Sequence, residues 1–85
     1  MIVQRTVLDG QEPARSVVHD AYGDWLASDG VSDPNVHDAS ILVCMHHLVE
    51  RDPSIEPLAT MPPGTVAWRN NADDPWTFEK HAYED

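Results

Sequence analysis

The chain has one cysteine, five basic side chains and no uninterrupted apolar run longer than five residues. A single thiol, Cys44, cannot close an intrachain disulfide, so the fold must be held by packing, and a reducing compartment is the natural setting. The longest apolar run, residues 41–45, falls far short of the roughly 20 residues that span a bilayer. The opening MIVQRTVLDG lacks the basic-then-apolar pattern of a secretory leader. A cytoplasmic location is therefore expected. The four glycines, Gly10, Gly23, Gly30 and Gly64, are dispersed and form no phosphate-cradling loop, which argues against a nucleotide-binding enzyme. Arg5, Arg15, Arg51, Arg69 and Lys80 form no run, and phosphate backbones are gripped by basic patches. Nucleic-acid binding by the usual route is excluded on charge.

Acid is what the chain has in abundance. Fifteen Asp and Glu against five Lys and Arg give a formal net charge of −10 on 85 residues. The acids run along the whole length and make no tail. A small body so charged repels nucleic acid and attracts basic surfaces. Eighty-five residues correspond to one domain, 1–85, with one core.

Residues 1–8 are rich in β-branched side chains, and Asp9-Gly10 is a turn signal. With a second extended stretch over residues 13–20, this predicts an N-terminal β-hairpin turning at residues 9–12. Residues 22–28 can supply a third strand, and residues 29–35 (DGVSDPN) form a loop. A main helix is expected from near Asp38, capped by Asp38 or Ser40. Its apolar face would carry Ile41, Leu42, Met45, Leu48 and Val49. Pro53 ends it near Arg51. Ser54 can cap a second short helix over residues 54–60 that buries Ile55, Leu58 and Met61. Pro57 is tolerated there because first-turn N–H groups have no intrahelical partner. Beyond Pro62-Pro63-Gly64, residues 65–69 and 76–80 alternate as strands. They predict a hairpin pairing Trp68 with Trp76 and Val66 with Phe78, all four on one face. The order ββ(β)-α-(α)-ββ implies an α+β fold: an antiparallel sheet of four to five strands with its helices on one face.

Several clusters could carry chemistry. His46, His47 and Glu50 would lie on a helix, with His37 just before it. Adjacent helical residues diverge by about 100°, and no CxxC or HxxxH spacing is present, so convergence on one ion is disfavoured. A metal- or small-ligand-sensing domain is the alternative reading. Cys44, flanked by Val43 and Met45, is expected to pack as a small apolar residue in mid-helix. No metal or other cofactor is implied. Asp24, Asp29, Asp33, Asp73 and Asp74 fall in predicted loops beside tryptophans, and Trp76 next to Asp73-Asp74 can anchor an interface. These six are the candidate partner-binding residues. No catalytic residues stand out.

One resemblance is carried by short motifs. Asp52-Pro53-Ser54-Ile55 with Leu58 matches a helix followed by D-P-x-I-x-x-L. Pro63-Gly64 leads into a strand that ends at Arg69. Upstream, Val7-Leu8-Asp9-Gly10 matches a V-L-x-G turn, and Tyr22-Gly23-Asp24-Trp25 stands where the pattern has D-S-G-W. Over residues 38–69 and these upstream elements the chain resembles the bacterial immunity protein 33-like family, a domain of unknown function. The resemblance implies an α+β fold and a role beside bacterial toxin systems. The combined expectation is a non-enzymatic acidic module that occludes a basic, toxin-like protein, binding neither nucleic acid nor membrane. An uncharacterised structural accessory domain is a further alternative.

Overall fold

In the computed structural model, residues 1–32 and 39–80 are described. The first strand, β1 (Ile2–Gln4), runs directly into a single helical turn, α1 (Arg5–Leu8). Two strands follow, β2 (Ser16–His19) and β3 (Trp25–Ser28), then β4 (Ser40–Leu42). Helix α2 (Met45–Arg51) leads through Asp52 into a 3-10 helix (Pro53–Thr60). Strands β5 (Thr65–Trp68) and β6 (Thr77–Lys80) complete the order.

The fold is α+β, as expected, but the sheet is larger and mixed. Six strands run in the order β4-β1-β3-β2-β5-β6. β1 lies parallel to β3, with Ile2 opposite Leu26, and every other pairing is antiparallel. The predicted N-terminal hairpin is therefore absent, because β1 does not pair with β2. Asp9-Gly10 instead terminates α1. The Asp9 N–H donates to the Arg5 carbonyl at 2.8 Å, and Gly10, at φ 78°, donates to Val7 at 3.2 Å. The left-handed residue that makes a tight hairpin also stops a helix, and only the partner strand decides between them.

The start of the main helix also differs. Ile41 and Leu42 belong to edge strand β4, where Val3 faces Ile41 and Gln4 faces Ser40. Ser40 is thus a strand residue and no cap, while Asp38 lies outside the described residues. The C-terminal limit at Arg51 stands. The second helix is observed one residue earlier than expected and is capped by Asp52, whose side chain accepts from the Ser54 N–H at 3.2 Å.

One core cluster sits between the sheet and its helices. Val3, Val17, Ala27 and Ala67 point inward from the sheet and meet Val7, Leu48, Ile55, Leu58 and Met61. Ile55 is fully buried. Ile55→Val removes one methylene and is expected to cost about 1 kcal/mol. Thermal denaturation should record this as a fall of roughly 4–8 °C in Tm. Among the described residues no helix is long and apolar enough to cross a membrane.

The C-terminal hairpin exists, in a register shifted by one residue. Ala67 faces Phe78, and Trp68 faces Thr77. A one-residue slip exchanges the faces. Ala67 and Arg69 therefore turn to the core, while Trp68 turns away from it.

Candidate functional site

The acids chosen from sequence fall at two opposite ends of the sheet. β2 and β3 are joined by residues 20–24. There the Asp20 carboxylate accepts from the Tyr22 and Asp24 N–H groups, both at 2.9 Å, and Gly23 takes φ 88°. Asp24 stands exposed on this turn. Because β5 runs antiparallel to β2, the turn after β5 lies at the other end. Asp73 is exposed there and Asp74 half-buried, its carboxylate accepting from Asn71 at 3.4 Å. Asp24 and the Asp73-Asp74 pair are not brought together. Asp33 lies outside the described residues.

Asp29 is a different kind of residue from the one its loop composition implied. It is fully buried. Its Oδ2 accepts from Thr6 Oγ1 at 2.6 Å, and its Oδ1 accepts from the Val31 and Ser32 N–H groups at 2.9 and 2.8 Å. Its own N–H donates to Gln4 Oε1 at 2.8 Å, and its carbonyl accepts from Arg15 Nη1 at 2.9 Å. Burial opposes the charge, but the hydrogen bonds from Ser32, Thr6 and Val31 outweigh it and hold the carboxyl well below the usual carboxylate range. Asp29 ties α1, β1 and the loop after β3 together and is withdrawn from direct contact with any partner.

Trp76 is half-buried and already engaged. Its Nε1–H donates to the Ser54 carbonyl at 2.9 Å, and the Arg69 guanidinium lies over its ring, 4.0 Å from the centroid. Arg69 is itself buried. It donates to the Ala14 carbonyl at 2.9 Å and the Ala72 carbonyl at 3.1 Å, with Asp52 at 3.5 Å. Trp76 is thus fixed as the lid of an interior arginine, with its remaining surface beside the Asp73-Asp74 turn.

Among the described residues the histidines do not assemble a ligand set, and His37 lies outside the described residues. His46 and His47 are exposed, with ring centroids 4.3 Å apart and planes tilted by 51°. No group of three or more His, Cys, Asp or Glu able to hold a metal ion occurs among the described residues. His19 stacks on Trp25, 3.9 Å between centroids, and its Nδ1 is 2.7 Å from the Met61 carbonyl, which fixes that nitrogen as the donor. Cys44 is exposed at the N-terminal boundary of α2, a correction to its expected mid-helix packing.

The face of the sheet turned away from the helices was not foreseen. The registers place Leu42, Ile2, Leu26, Val18, Val66 and Glu79 in one row across all six strands. Leu42 is 75% exposed, Ile2 and Leu26 each 45%, and Trp68 in the neighbouring row 37%. The signal was present in sequence as consecutive apolar pairs: Ile2-Val3, Val17-Val18, Leu26-Ala27 and Val66-Ala67. A strand with helices on one side only should alternate apolar with polar, so an apolar pair means that both faces are apolar. At one end of this row Ile2 and Leu42 share a shallow depression of about 230 Å³ with Asp24.

Comparison of the chain with protein-family models, with curated proteins and with solved structures returned no match.

Proposed function

We propose that this chain is a non-enzymatic acidic binding module of the bacterial toxin-immunity type, acting in the cytoplasm by occluding a basic protein. The observation that carries this reading is the net charge of −10 spread over a small α+β fold. Its acids stand at the surface at both ends of the sheet: Asp24 at one, Asp73 and Asp74 at the other. The short motifs by which the chain resembles the immunity protein 33-like family point to the same class. A dispersed acidic surface steers a cationic partner into encounter, raising the association rate and its salt dependence more than the final affinity. Trp76, held in place by Ser54 and Arg69, offers a rigid anchor beside Asp73 and Asp74, so little side-chain entropy is lost on docking.

The test is co-expression with the products of the adjacent genes, followed by association kinetics on any complex recovered. The expected result is rescue of growth from a toxic neighbour. Reversing Asp24, Asp73 and Asp74 to lysine should slow association at least about tenfold at low salt, with the gap closing as salt rises through 0.5 M. Equal association rates would remove the electrostatic mechanism, and no complex with any neighbouring product would overturn the reading.

A further inference from the structure

Three members of the apolar row on the open side of the sheet, Leu42, Ile2 and Leu26, are exposed, while Val18 and Val66 are half-buried. Large exposed apolar patches on small monomers mark interaction sites. Its five apolar members, Leu42, Ile2, Leu26, Val18 and Val66, sit on five adjacent strands. Four interstrand steps span about 19 Å. That is the length of about thirteen helical residues, or three to four turns. Two carboxylates border the row: Glu79 continues it on β6, and Asp24 lines the depression that holds Ile2 and Leu42. The Met1 ammonium at the same depression is engaged by the Val43 carbonyl at 2.6 Å. Lys80 alternates to the opposite face from Glu79, and the neighbouring row offers Ser16, Trp68 and Thr77.

We infer that the open face of the sheet docks an amphipathic helix of the partner, whose apolar stripe lies along the Leu42–Val66 row and whose flanking lysines or arginines meet Asp24 and Glu79. This rests on the binding-module reading and adds the surface and the shape of what it takes. Charge decides the occupant. A second copy of this chain would bring another body of net charge −10, with its own Glu79, onto the same patch. A helix with basic flanks satisfies apolar row and acidic border together.

The probe is a designed helical peptide of about fourteen residues with a leucine stripe flanked by lysines. Two controls accompany it: a scrambled peptide of the same composition, and one with glutamate in place of lysine. Titration at moderate salt should give saturable binding to the intact chain, at least about tenfold weaker for the scrambled peptide and none for the glutamate peptide. Leu42→Lys and Leu26→Lys should each weaken binding about tenfold or more. Val31→Lys, which adds the same charge at an exposed apolar site off the row, should change it less than about threefold. Circular dichroism and Tm confirm that each variant is folded, and Leu42, on an edge strand and the most exposed, is the substitution the fold best tolerates. Equal weakening by Val31→Lys, equal binding of the scrambled peptide or no saturable binding would overturn the inference. So would a dimer at high salt that Leu42→Lys dissolves, which would make a second copy the occupant. A failed toxin complex with a positive peptide result would sink the functional reading and leave this surface standing. A charge-dependent toxin complex indifferent to Leu42 and Leu26 would do the reverse.

Discussion

Asp29→Ala is expected to lower the free energy of unfolding by about 3–4 kcal/mol, because it strips four donors of a charged acceptor inside the protein. For a domain of this size Tm should fall by about 15–25 °C. Four groups lose their acceptor at once: the Ser32 and Thr6 hydroxyls and the Val31 and Ser32 N–H groups. Asp29→Asn should cost much less. The amide oxygen can keep the two backbone bonds while the Thr6 hydroxyl rotates to accept from the amide nitrogen. The same pair yields a pH experiment. The Asp29 carboxyl is depressed in the folded state, so the unfolded chain takes up the proton first as pH falls. Its contribution is complete above about pH 4 and declines below it as the solution approaches the folded-state value. Denaturant unfolding of wild type and Asp29→Asn should therefore show a stability gap at pH 7 that narrows steadily below pH 4. A gap independent of pH would mean that the charge of Asp29 does nothing.

Arg69→Ala is expected to cost about 2–4 kcal/mol. Arg69 reaches the buried carbonyl of Ala14 from the end of β5 and satisfies Ala72, while its guanidinium covers the Trp76 ring. Truncation leaves the Ala14 carbonyl unpaired and uncovers one side of the indole. The contact with Asp52, long at 3.5 Å and on a carboxylate that is partly exposed, contributes little of this. Asp52→Asn should accordingly cost under about 1 kcal/mol. Arg69→Lys retains the charge but not the planar fork that serves two carbonyls and lies on the ring, so it should recover only part of the loss. Near-UV circular dichroism of the Trp76 environment, read with chemical denaturation, separates the three variants. Full stability in Arg69→Lys would show that charge alone is what the site uses.

Much of the fold was legible where local chemistry and tertiary partner agree. Pro53 behind Arg51 ends α2, a short helix follows it (capped by Asp52 rather than by Ser54), and Ile55, Leu58 and Met61 are buried as their spacing implied. The strands at residues 25–28, 65–68 and 77–80 also lie where alternation and aromatic content put them. What failed depended on a partner far along the chain. Ile41 fits a helical stripe with Met45 and Leu48, yet Val3 offers it a strand to pair with, and the edge wins. Alternation groups Trp68 with Val66, Trp76 and Phe78 on one face, but the observed register opposes Phe78 to Ala67, which is buried, while Trp68 turns to the other face. Among the candidate site residues, composition marked Asp29 as a loop acid. Nothing local shows that Gln4, Thr6 and Arg15 close around it from three other segments.

The insertion of β1 between β3 and β4 has a kinetic consequence. The connections from β2 to β3 and from β5 to β6 are short, so those pairs can zip early with little loss of chain freedom. β1 has no such neighbour. Ile2 must find Leu26 on one flank and Leu42 on the other, and its slot does not exist until both of those strands are in place. Refolding should therefore run on the millisecond-to-second scale of topologies dominated by distant pairings. During that delay the inner flank of β3 lies open, which makes rapid dilution from denaturant at high protein concentration the condition under which this chain misassembles.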